Sequence, residues 1–199
     1  MSADEKRLIT ECLQGRHAAF GELVRRYQDR LYNTVYRLLD NAEDAQDVVQ
    51  EAFIHAYQSL NSFKGGSLFY TWLYRIAVNT AISWRRKQRS LLRLQSDPEG
   101  GTGKERADPS EGNRPGHALE QAEEERRVRV ALNRVSPEHR AVLILKDMEG
   151  QKYETMAEIL QVPIGTIRSR LHRARLELRQ VLEQLDREGE TPGPTPKEG

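Results

Sequence analysis

The fold of this chain is decided by residues 153–175, YETMAEILQVPIGTIRSRLHRAR. Tyr153 to Leu160 reads as a short helix that buries Met156, Ala157 and Leu160 on one face. Gln161-Val162-Pro163-Ile164-Gly165 follows as a tight turn. A long helix then starts near Thr166. On a helical wheel Ile167, Leu171, Ala174 and Leu178 fall in one narrow arc, which is the core face. Ser169, His172 and Arg173 lie opposite, with Thr166 near them at the helix start, and Arg168, Arg170 and Arg175 flank the stripe. No acid interrupts this surface before Glu177. A short helix, a tight turn and a polar, arginine-rich helix make a helix-turn-helix, whose second helix enters the major groove by its N-terminal half. Arginine pairs bidentately with guanine edges, and flanking arginines hold phosphates. A charge run alone would read as a solvated face; the helix and turn before it make DNA the better reading.

Outward from this motif the apolar period stays helical, and strand signals are nearly absent. Ser136-Pro137 opens a preceding helix with a capping hydroxyl and proline at its first position. Ala141, Val142, Leu145 and Met148 form its apolar face, and Gly150 ends it. Further upstream, Asp97 to His117 is rich in Gly, Pro, Asp, Glu and Arg, with Ala107 as its one aliphatic residue. Such a stretch cannot offset its chain entropy by burial and reads as a flexible linker. Before it stand three more amphipathic helices. Phe20, Leu23, Val24, Tyr27, Leu31, Val35 and Leu38 mark the first. Asp40 and Asn41 break it, and Asn41 caps a second that buries Ala45, Val48, Val49, Ala52, Phe53, Ala56 and Tyr57. After a loop with Gly65-Gly66, a third runs from about Leu68 to Arg89, with Trp72, Ile76, Thr80 and Trp84 inward and Arg75, Asn79, Ile82 and Arg86 on the other side. The chain is therefore all-α: two small helical domains, 5–92 and 119–186, a flexible linker over 93–118, and a disordered tail over 187–199.

Composition narrows the function. Of 199 residues, 37% are hydrophobic and 31% charged, which suits two small domains better than one deep core. The net charge is +1, so any basic surface must be local. Cys12 is the one cysteine, which excludes an internal disulfide and a Cys-rich zinc site and points to a reducing cytoplasm. The N-terminus lacks a signal peptide pattern, and no apolar run is long enough for a membrane span. His17, His55, His117, His139 and His172 are scattered without metal-ligand spacing. No nucleophile motif or Gly-rich phosphate loop appears, so no enzyme activity, metal or cofactor is expected.

Residues 162–175, VPIGTIRSRLHRAR, closely resemble the DNA-reading C-terminal region of bacterial RNA polymerase sigma factors of the extracytoplasmic-function (ECF) type. Two further motifs resemble the same family in the right order. Residues 43–53, EDAQDVVQEAF, resemble its polymerase-docking segment, and residues 69–81, FYTWLYRIAVNTA, its promoter-melting and −10-reading segment. The resemblance implies a protein that docks on core RNA polymerase, opens promoter DNA at the −10 element with its first domain and reads the −35 element with its second. It implies docking by Asp44, Asp47, Gln50 and Glu51. It implies −10 contacts by Phe63, Lys64, Ser67, Phe69, Arg75, Asn79, Ser83 and Arg86, with the Phe63–Phe69 loop forming a pocket for a flipped base. It implies −35 contacts by Lys146, Thr166, Arg168, Ser169, Arg170, His172, Arg173 and Arg175, and an anti-sigma factor as a further partner. Gly66 departs from the acidic or polar residue the family often carries there.

The residues give these roles physical sense. Asp44, Asp47 and Glu51 share one helix face, where like charges repel unless a basic partner covers them. A flexible loop beside aromatic and amide groups suits the capture of an unstacked base, although Trp72, Tyr74 and Trp84 read first as packing residues. A linker of about 28 residues spans roughly 30 Å as a coil and at most about 90 Å, against roughly 70 Å between elements about twenty base pairs apart. It bridges them only when held extended by a third body. The rival reading is a stand-alone helix-turn-helix transcription regulator, which would leave the acidic and aromatic N-terminal motifs unexplained.

Overall fold

The computed structural model describes the backbone of residues 2–95 and 117–189, and the side chains of 2–91 and 123–188. Among the described residues every regular element is helical. The N-terminal half holds α1 (Ala3–Leu13), α2 (His17–Leu39), α3 (Ala42–Gln58), a short 3-10 turn (Leu60–Ser62) and α4 (Phe69–Gln95). The C-terminal half holds α5 (His117–Arg134), α6 (Pro137–Leu143) continued by a π turn (Ile144–Met148), α7 (Tyr153–Leu160) and α8 (Ile164–Gly189).

The sequence pattern accounts for most boundaries. Asn41 caps α3 by accepting from the Asp44 amide at 3.1 Å. Asp40 closes α2 in the left-handed region at φ 56°, a conformation an acidic side chain tolerates better than most. α7 spans the expected residues, and Gln161 ends it at φ 53°. The helix α1 is an addition to the expected set. Ser2 and Glu5 form a reciprocal capping box, and Leu8, Ile9 and Cys12 bury its inner face.

Several expectations are corrected. α4 reaches Gln95 and α8 reaches Gly189, so both run past their expected ends. What remains of the flexible linker, residues 96–116, and of the disordered tail, residues 190–199, lies outside the described residues. Ser136 precedes α6 but makes no side-chain cap; its hydroxyl and amide both donate to Glu177 on α8 instead. Met148 and Tyr57 stand exposed at 50% and 38%, because no neighbouring helix covers the ends of the arcs they occupy.

The chain is all-α with two small helical domains, as expected, and the contact between them is an addition. They pack against each other, with α4 lying on α7 and α6 and the end of α2 also meeting α6. Buried apolar residues from Leu8 to Ala174 form one continuous cluster. The reason lies in α4. From Thr71 to Ile82 it has no exposed residue, so it is buried or half-buried all round, as a central helix must be. Its inner side carries Leu73, Ala77 and Ala81, and its second side meets the C-terminal half through Asn79.

Candidate nucleic-acid and partner interfaces

α8 presents the arginine-rich surface. Ile167, Leu171 and Ala174 are buried, with Leu178 half-buried behind them. Arg168, Ser169, His172, Arg173 and Arg175 are exposed, whereas Thr166 and Arg170 are half-buried. The core stripe thus turns the opposite face of α8 to solvent, as the wheel requires. α6 and α8 are tied by Glu177, which accepts from the Ser136 amide at 2.9 Å, from the Ser136 hydroxyl at 3.0 Å, and from His139. Burial raises the Glu177 carboxyl, but these hydrogen bonds outweigh it and hold it below the ordinary carboxylate value. Arg175 is engaged by Asp147 at 2.6 Å. Lys146 donates to the Gln151 carbonyl at 3.1 Å and lies over the Tyr153 ring, with Arg168 on the same ring at 5.9 Å. Lys146, Arg168 and Arg175 thus flank the face, and Ser169, His172 and Arg173 stand at its centre.

The loop between the 3-10 turn and α4 encloses a cavity of about 370 Å³. Phe63, Lys64, Ser67 and Arg75 line it, together with Trp72 and, from the other half, Glu158. Phe63 stacks edge-on against Phe69 at 5.5 Å and lies 5.3 Å from Trp72, so an aromatic wall backs the loop. Gly65 takes φ 73°, which lets the loop turn here. The structure therefore brings four of the expected −10 residues together at one opening. It keeps Phe69 apart: that ring is 1% exposed, packed on Tyr27, Phe63 and Trp72, so it supports the loop and does not face solvent. Ser83 and Arg86 are exposed further along α4, and Arg86 lies 3.6 Å from Glu138. The Asn79 amide donates to the Ile159 carbonyl at 3.2 Å. Trp72 and Tyr74 are core residues, at 6% and 0% exposure.

A second, larger groove of about 710 Å³ runs between α2 and α3. Phe20, Val49, Phe53, Ile54 and Tyr57 give it apolar walls, and Gln46 and Gln50 edge it. Of the four residues expected to dock the polymerase, Gln50 lines this groove. Asp47 is exposed beside it, Glu51 lies 3.8 Å from His55, and Asp44 accepts from Gln88 on α4 at 2.9 Å. Ile54 is 48% exposed, an apolar side chain left in solvent. Its contribution was missed because α3 was read by its buried stripe. The signal was there in Ala52-Phe53-Ile54, whose apolar arc is too wide for one neighbouring helix to cover.

Comparison with known proteins gives a consistent picture. Residues 23–91 match the model for Sigma-70 region 2, and residues 125–178 match that for Sigma-70, region 4. The chain is 37% identical over 191 residues to the RNA polymerase sigma-H factor of Pseudomonas aeruginosa, covering 92% of this chain and 96% of that one. It is 38% identical over 189 residues to the ECF RNA polymerase sigma-E factor of Escherichia coli K12, covering 90% and 95%. Among solved structures it resembles CnrH in complex with the cytosolic domain of CnrY, with a TM-score of 0.60 at 25% identity over 92% of this chain and 99% of that one. It also resembles the sigma factor RpoE of Bartonella quintana, solved with the anti-sigma factor NepR, with a TM-score of 0.60 at 26% identity over 82% and 96%.

Proposed function

The chain belongs to the sigma-70 family, in its ECF branch, and on that premise we propose how its residues divide the work. As a member of that family it is a transcription initiation factor that directs RNA polymerase to specific promoters. It acts in the cytoplasm and carries no catalytic step of its own; the polymerase makes the bonds. No helix among the described residues is long and apolar enough to cross a membrane.

The −35 element is read by Thr166, Ser169, His172 and Arg173, and phosphates are held by Lys146, Arg168, Arg170 and Arg175. The observation that carries this reading is the exposed face of α8 from Thr166 to Arg175, which is free of acids and is fixed by a core stripe on its opposite side. The −10 strand is taken by the loop cavity and the adjoining side of α4, through Phe63, Lys64, Ser67, Arg75, Asn79, Ser83 and Arg86. Core polymerase docks on the α2–α3 groove through its apolar walls and Gln50, with Asp44, Asp47 and Glu51 forming an acidic border that steers a basic partner. An anti-sigma factor, as in the complex of the Bartonella quintana sigma factor RpoE with NepR, is a further partner.

The deciding experiment is run-off transcription by core polymerase on a promoter library, with and without this protein. Promoter-specific transcripts that require the protein support the reading. A stand-alone regulator would bind promoter DNA by itself, and core polymerase would not need it to initiate.

A further inference from the structure

We propose that the free chain is latched shut by Glu149, so that its C-terminal half covers the surface that takes the −10 strand while the −35 helix stays open. The inference rests on the assignment of α4 and its preceding loop to that strand. Among the described residues, the partners of the Glu149 side chain come from the other half. Thr34 donates to one carboxylate oxygen at 2.5 Å and Tyr74 to the other, and Arg37 approaches to 3.8 Å. The Glu149 side chain is only 9% exposed. Tyr74 is fully buried, and burial, with Tyr70 and Glu149 adding to it, pushes its hydroxyl far above its ordinary value, so it remains a proton donor.

A second acid acts at the other end of the same segment. Glu158 completes the wall of the loop cavity beside Lys64 and Arg75. Next to it, the Ile159 carbonyl accepts from Asn79. That carbonyl lies in the last turn of α7, where no later amide of the helix can reach it. The segment 149–159 therefore lays two carboxylates and a carbonyl along the surface assigned to the strand: Glu149 is held by Thr34, Tyr74 and Arg37 at one end, Glu158 walls the cavity at the other, and the Ile159 carbonyl takes up the Asn79 amide. It stands in for a polyanion. The DNA-facing side of α8 stays outside this cover, where Ser169, His172 and Arg173 remain exposed. The latch lowers the apparent affinity for the −10 strand by the fraction of molecules that are open, and polymerase restores it by holding the halves apart.

Glu149→Lys tests the latch. In an open chain the side chain at 149 is solvated, so lysine is harmless there; in the closed chain it meets Arg37 and a buried tyrosine. Full-length protein carrying Cys12→Ser, Glu22→Cys and Gln180→Cys is spin-labelled, and the distance between the labels is measured with no partner present. A short, narrow distribution is expected, becoming longer and broader with Glu149→Lys. Binding to a randomised pool of short single-stranded DNA should tighten at least tenfold in step. Helix content is followed by circular dichroism, and Glu149→Gln, which keeps the shape and removes the charge, should give an intermediate opening if the lysine variant fails to fold. Distances that are broad in the parent and unchanged in both variants overturn the latch. Opening without tighter DNA binding overturns the covering role. A gain that survives Arg75→Ala and Asn79→Ala would instead sink the −10 assignment and leave the latch standing.

Discussion

Arg85 on α4 and Arg140 on α6 both donate to the side-chain oxygen of Asn133. Arg140 is 1% exposed and also donates to the Arg37 carbonyl at 2.6 and 3.0 Å. Arg85 reaches the Leu38 and Leu39 carbonyls at 3.2 and 3.0 Å. Burial pushes the Arg140 guanidinium down to about 9 and Arg85 down to about 10, with a neighbouring guanidinium adding to each and Asp40 opposing. Two cations so close are tolerated because carbonyls at the end of α2 and the Asn133 side-chain oxygen accept their N–H groups, and Asp40, which accepts from the Asn133 amide, offsets part of their charge. Asn133→Ala removes an acceptor from both at once. It should lower the stability of the full chain by about 1–3 kcal/mol, measured by urea unfolding. An unchanged midpoint would mean that the guanidinium pair is already satisfied without it.

Arg175 and Asp147 make an exposed pair, so their mutual attraction contributes little to stability, about 0–1 kcal/mol. Asp147→Ala should leave the melting temperature nearly unchanged and free Arg175 for a phosphate. Affinity for −35 duplex DNA should rise, with the salt slope steeper by about one unit. Arg175→Ala should move both in the opposite direction.

Arg173→Ala should relax selectivity at one base pair of the −35 element by about 1–3 kcal/mol, read by competition binding across single-base variants. An equal loss on every sequence would make Arg173 a phosphate contact.

Ile54 is half in solvent on the wall of the α2–α3 groove. Ile54→Lys should shift stability by no more than about 0.5 kcal/mol. It should weaken binding to core polymerase by about 1–3 kcal/mol, because it places a charge in an apolar contact. A larger loss from Asp47→Ala with Glu51→Ala than from Ile54→Lys would place the main docking energy on the acidic border instead.

Glu177 has a folded value below 4.5, so its contribution to stability is fully present above 4.5 and is lost as pH falls through the depressed value. Glu177→Gln should be less stable than the parent at neutral pH. The difference should shrink as the pH is lowered, measured by thermal unfolding of the full chain. A gap that stays constant with pH would show that the carboxylate charge is not what ties α6 to α8.

By itself the sequence determined the local structure and the DNA-facing surface. The period of Ile167, Leu171, Ala174 and Leu178 fixes which side of α8 is core, and therefore which arginines are outside; neighbours along one helix suffice for that. Asn41 as a cap and Gly150 as a stop, at φ 65°, are equally local. The Ser2–Glu5 capping box is local on the same terms. The tertiary structure alone decided what crosses between elements. A wheel drawn for α4 separates an apolar from a polar side, but nothing in it says that Asn79 meets Ile159 or that Glu149 lies against Tyr74. Those partners are 80 and 75 residues apart, and their pairing depends on how two helical bundles meet. For the same reason Phe69 could be taken for a DNA contact when it is the floor of the loop, and Tyr57 for a core residue when it stands at the edge of a groove. Periodicity assigns a side chain to a face of its own helix; only packing decides whether that face meets another helix, a cavity or water.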